Sequence, residues 1–183
     1  MKKILLVIFL FTSISKAQDT NRIKSKLEEF SSEKGVLYKT ETEKLGKVKG
    51  FSVIKTTVTN VEKAKSVKAI QITEKPGFLG YGAGIVTIDE EIIPEVIKVL
   101  DYYKNNVIPD QCKDYCASWN FKSTSGTISI TCYKIIGAYA SKWHTLIYDY
   151  DYWSLSLLKY NLLGIDLEPK ELDEIIAFLK AYK

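Results

Sequence analysis

Val86 to Lys104 reads VTIDEEIIPEVIKVLDYYK, and Ile165 to Lys183 reads IDLEPKELDEIIAFLKAYK. The two stretches align without a gap at an offset of 79. Glu95, Ile97, Leu100, Tyr103 and Lys104 recur as Glu174, Ile176, Leu179, Tyr182 and Lys183. Most other apolar positions match by class. Each stretch is a short β-branched strand, an acidic turn and an amphipathic helix. The stripe Ile93, Val96, Ile97, Leu100, Tyr103 is repeated by Leu172, Ile175, Ile176, Leu179. Pro94 fits only the first turn of its helix, so that helix starts near Glu91 or later; Pro169 suits a first helical position.

Working outward, strand patterns precede each copy. Segments 36–42, 47–60, 66–73 and 84–88 are β-branched or alternating, and so are 118–123, 127–133, 143–150 and 152–160. Thr124-Ser125-Gly126 marks a hairpin. Ile23, Leu27 and Phe30 fall on one face of a helix predicted over 20–34. The fold class is therefore α+β: antiparallel sheets, an N-terminal helix, two amphipathic helices, and two strand-strand-strand-helix repeats over 35–104 and 117–183.

The amino terminus sets the compartment. Met1-Lys2-Lys3 is basic, Ile4 to Phe11 is an unbroken apolar run, and Ser15-Lys16-Ala17 is a small-residue end. This is the pattern of a secretory signal peptide over residues 1–17, with Gln18 as the first mature residue. Eight apolar residues fall short of the roughly 20 that span a bilayer. The expectation is an exported, periplasmic or extracellular chain with no membrane span after cleavage. Lys2, Lys3 and Lys16 leave with the leader, so 26 basic residues become 23 against 22 acidic ones. A balance that even supplies no global field for phosphate backbones, which argues against a nucleic-acid partner. The remaining 166 residues (183 less 17) suit one domain over 18–183.

Export makes a disulfide plausible for Cys112, Cys116 and Cys132. Cys132 alternates with Ile128 and Ile130 and should face the core, so a bridge from Cys112 or Cys116 to Cys132 is one expectation and no bridge the other. Zinc would need a fourth ligand, and His144 is the only histidine, so neither metal nor cofactor is expected.

Two segments offer a binding surface. Tyr148-Asp149-Tyr150-Asp151-Tyr152-Trp153 alternates, which puts Tyr148, Tyr150 and Tyr152 on one strand face and Asp149 and Asp151 on the other. An aromatic row can stack on a glycan or pack on a protein; the bland alternative is packing beneath a helix. Pro76 to Gly84 (PGFLGYGAG) is a glycine-rich loop carrying Phe78 and Tyr81; a strand rather than a helix follows it, so it is no dinucleotide fingerprint. Asp89-Glu90-Glu91 is read as helix capping. His144 lies in a strand with no GxSxG or HExxH around it, so no catalytic residue is assigned. The preferred function is a non-enzymatic envelope protein that binds a partner or ligand. A small hydrolase of glycans or peptides using Asp149, Asp151 or His144 is the alternative, and homodimerisation through an exposed sheet face is a third reading.

A sheet-then-helix unit used twice resembles, in element order alone, the whirly-type fold of single-stranded-DNA-binding proteins. The resemblance implies an architecture in which several antiparallel strands are followed by one helix in each half. No residue motif carries its nucleic-acid function across to this chain.

Overall fold

The computed structural model describes residues 23–73, 85–109, 118–136, 141–149 and 164–182. Two four-stranded antiparallel sheets are present. The first runs β1 (Tyr38–Val48), β2 (Phe51–Asn60), β3 (Lys65–Thr73) and β4 (Ile85–Asp89); the second runs β5 (Trp119–Lys122), β6 (Ile128–Ile136), β7 (Ser141–Asp149) and β8 (Gly164–Leu167). A short helix α1 (Lys26–Ser31) precedes the first sheet; α2 (Ile93–Tyr102) follows β4, and α3 (Pro169–Ala181) follows β8. The chain is an α+β protein. Among the described residues each sheet has four strands, one more than the three-strand repeat read from the sequence.

In the first half a boundary differs from the sequence reading: β1 runs on from segment 36–42 to Val48, and segment 47–60 becomes β2 only from Phe51. Lys49 and Gly50 both have positive φ, 49° and 92°, and reverse the chain in a two-residue hairpin. Lysine at such a position carries none of the usual glycine or asparagine signal. Gly126, at φ 75°, closes the predicted turn before β6. A 3-10 turn (Glu90–Ile92) leads into α2 with Pro94 in its first turn, and a π turn (Tyr103–Val107) ends it. Of the N-terminal helix predicted over 20–34, the described residues show only α1, started by Ser25 and Glu28 in a reciprocal cap. No described helix is long and apolar enough to cross a membrane.

The offset of 79 also matches the order of elements in the two halves. It sets β4 on β8, and the 3-10 turn at Glu90, which leads into α2, on the start of α3 at Pro169. The two helices also meet at positions separated by that same number: Lys180 Nζ lies 3.1 Å from Asp101 Oδ2.

Each helix reaches into the other half. From the first half, Tyr103 Oη shares its proton between the Trp119 and Ile130 carbonyls (3.0 and 3.2 Å), and the Glu95 carboxylate accepts from Thr124 N–H and Oγ1 at the β5–β6 turn. From the second half, Phe178 packs on Gly46 of β1, and Glu171 lies 3.7 Å from Lys49 Nζ at the β1–β2 turn. Lys49 also donates to the Asp166 carbonyl (3.2 Å). An acidic side chain near the start of each helix thus holds the opposite hairpin. Between them lies one apolar cluster built from Val53, Ile70, Ile72 and Ile88 of the first sheet, Ile128, Ile130 and Ile147 of the second, and both helix stripes.

The acidic turn corrects one expectation. Asp89 stands before the 3-10 turn but makes no side-chain cap to it. Its buried carboxylate instead accepts from Lys26 N–H (2.8 Å) and Leu27 N–H (3.3 Å), so it caps α1 across 63 positions of sequence. Its counterpart Glu168 does stand at the N-cap of its own helix, where its N–H donates to Glu171 (2.6 Å).

Candidate functional site

The second sheet has one face in the core and one away from it. On β6, Ile128, Ile130 and Cys132 point inward, and Ser129, Thr131 and Tyr133 point outward. On β7, Trp143 and Ile147 enter the core, leaving His144, Leu146 and Tyr148 outside; on β8, Ile165 and Leu167 enter it, leaving Asp166 outside. Register then decides which outward groups meet. Tyr133 is opposite His144, and Leu146 is opposite both Thr131 and Asp166.

Two linked groups result. The His144 ring stacks on Tyr133, with centroids 5.6 Å apart and planes 19° off parallel. Its Nδ1 is 3.0 Å from each Asp166 carboxylate oxygen. A carboxylate only accepts, so Nδ1 carries the proton and Nε2 is the nitrogen left for a further contact. Asp166 lies diagonally across the β7–β8 ladder, within reach of a long side chain. The His144 side chain is 15% exposed and that of Asp166 42%, so the carboxylate is the open edge of the pair. Beside them, Thr131 Oγ1 donates to Asn120 Oδ1 (2.8 Å) and accepts from Tyr148 Oη (3.3 Å). Asn120, Thr131 and Tyr148 come from three adjacent strands.

Of the expected aromatic row, Tyr148 is placed, half-buried and hydrogen-bonded on this face. Tyr150, Asp151 and Tyr152 lie outside the described residues, as do Phe78, Tyr81, Cys112 and Cys116. Of Asp149 only the backbone is described, opposite Ile128. Cys132 is a free, fully buried thiol, so no bridge from Cys112 or Cys116 to it is formed. Its side chain points inward from β6 and is fully enclosed in the apolar cluster. Burial also pushes its thiol pKa up. Because Cys132 and His144 point to opposite faces, they cannot act as a catalytic pair. Among the described residues, no group of three or more His, Cys, Asp or Glu side chains is placed to hold a metal.

Sequence reasoning missed Tyr133 and Asp166. Asp166 had a usable signal: the repeat aligns it with Thr87, and a carboxylate replacing a threonine on one strand of a matched pair marks divergence. The divergence extends to its neighbours. Gln71 is opposite Thr87 as Leu146 is opposite Asp166, which makes Ala69 the counterpart of His144. Ala69 is fully buried beneath Leu27 of α1, with Val58 alongside. Thr56, Gln71 and Thr87 continue that first-sheet face as a hydrogen-bonded row. One outer face is thus closed by a helix on alanine, while the equivalent place on the other carries an imidazole, a carboxylate and a tyrosine.

No protein-family model matches the chain, and no curated protein matches it.

Proposed function

We propose that this is an exported, non-enzymatic protein of the cell envelope or periplasm that binds a partner or ligand on the outer face of its second sheet. One observation carries the reading. The two halves repeat strand order, helix position and core stripe, yet they differ on the faces outside that common core, where Ala69 packs beneath α1 and its counterpart His144 meets Tyr133 and Asp166. A histidine, a carboxylate and a tyrosine grouped on a face the core does not use form a set that can meet a ligand. The leader pattern and the even charge of the mature chain support an envelope location and a partner other than nucleic acid.

The test uses the mature chain, residues 18–183, on a glycan array and against fractionated envelope extract. Binding that falls at least tenfold in Asp166→Asn and in His144→Gln, with circular dichroism unchanged, supports the reading. Binding that both variants retain in full refutes the placement of the site.

The hydrolase alternative rests on the His144–Asp166 contact, since a carboxylate on Nδ1 is how a general-base histidine is oriented. Turnover of a glycan or peptide panel, abolished by His144→Gln, would favour it over simple binding.

A further inference from the structure

The first sheet ends in an eleven-residue strand, β1, whose far edge pairs with no described strand. Residues 39 to 44 (KTETEK) are exposed on both faces. A long edge of this kind is a template for another strand unless its charges forbid it. The charges can be tested register by register against a second copy of the chain. Two identical antiparallel edges are related by a twofold normal to the sheet, which keeps each residue on its own face. Pairing is therefore centred on a single residue that meets itself.

Centring on Lys39 opposes two lysines, and centring on Glu41 or on Glu43 opposes two glutamates. Centring on Thr42 sets Glu41 against Glu43 twice. Centring on Lys44 again opposes two lysines, while Leu45 stands at the bulge packed on the core and Gly46 lies under Phe178, so neither is an open centre. Among the exposed residues 39–44, centring on Thr40 alone avoids every like-charge pair: Thr40 meets Thr40, Tyr38 meets Thr42, and Lys39 meets Glu41 on both sides of the axis. Lys39 and Glu41 already share one face, 2.8 Å apart within the strand, with side chains 63% and 58% exposed. They are positioned to exchange partners across the axis. Directly opposite unlike charges stabilise a strand pair, and like charges destabilise it.

We propose that two copies of this chain pair antiparallel along β1, centred on Thr40, joining the two first sheets into one eight-stranded sheet. The pairing covers five residues of each strand, less than a permanent interface needs, so the dimer is weak and concentration-dependent. This surface is separate from the face of the second sheet, and its failure leaves the binding proposal standing.

Sedimentation velocity on the mature chain, from about 1 μM to about 1 mM, tests it. The wild-type weight-average mass should rise toward a dimer across that range. Glu41→Lys sets like charges opposite each other on both sides of the axis, and association should weaken at least tenfold. Exchanging the charges, Lys39→Glu with Glu41→Lys, should restore it, and added salt should weaken wild type and the exchanged variant alike. A wild type that stays monomeric at the top concentration overturns the proposal. So does association that Glu41→Lys leaves unchanged, or that the exchanged, folded variant does not recover.

Discussion

At Gly46 the two halves fit closely, and replacing it with alanine tests whether that fit holds the fold. Gly46 lies next to the bulge at Leu45, where β1 shifts register against β2. A Cβ there would stand 2.2 Å from Cζ and 2.5 Å from Cε1 of Phe178 on α3. Apolar carbons rest about 3.5–4.0 Å apart, so the ring or the strand must give by more than about 1 Å. Phe178 sits on a helix whose neighbours Leu172, Ile175 and Leu179 are locked in the core, which limits how far its ring can retreat. Overpacking of this kind costs about 1–3 kcal/mol. The lower entropy of an unfolded alanine returns about 0.4–1 kcal/mol. Gly46→Ala should therefore lose about 1–2 kcal/mol. For a chain of this size that is a fall of about 2–8 °C in Tm by calorimetry. The control is Phe178→Leu, which removes the far end of the ring. In its presence Gly46→Ala should cost clearly less, a coupling of at least about 0.5 kcal/mol. An alanine variant as stable as wild type, or costs that simply add, would refute the contact as the source of the constraint.

Three further outcomes follow from the same geometry. Glu95→Ala removes the acceptor for Thr124 N–H and Oγ1, so urea denaturation should show a loss of about 1 kcal/mol, with Thr124 amide exchange faster than that of the β6 core. Burial holds the Asp89 carboxyl above its ordinary pKa, against the opposing hydrogen bonds from Lys26 and Leu27. A raised folded-state pKa contributes stability that is present below the unfolded value and lost as pH rises through the folded one. Wild type should accordingly lose stability relative to Asp89→Asn as pH climbs out of the ordinary carboxylate range, and parallel curves would contradict the burial. In a variant with serine at positions 112 and 116, the Cys132 thiol should react with a thiol reagent only at the rate of unfolding; fast labelling of the native protein would contradict its core position.

What could be read in advance follows from where each constraint resides. The repeat was legible because a core stripe is local: Leu100 and Leu179 occupy the same step of the same helical period, and each is fully buried for that reason. The Lys49-Gly50 turn was hidden because Lys49 holds a backbone conformation that its residue type does not advertise; its side chain instead contacts Asp166 and Glu171, more than a hundred positions away. Asp89 was misread for the same reason. A carboxylate before a helix looks like that helix's cap, and only the fold reveals that the two N–H groups it satisfies belong to α1. The candidate site sits between these cases. Alternation assigned Tyr148 to a strand face, but the partners that give that face its chemistry are fixed by cross-strand register. Tyr133 reaches His144 through the β6–β7 pairing and Asp166 reaches it through β7–β8, and neither pairing is written in any one segment. Comparing the two halves recovers part of that information, because each position in one sheet then has a counterpart that feels the same core. Where the counterparts agree, as Leu100 and Leu179 do, packing accounts for both. Where they part, as Ala69 and His144 do, the common core cannot be the reason, and binding experiments should begin at that difference.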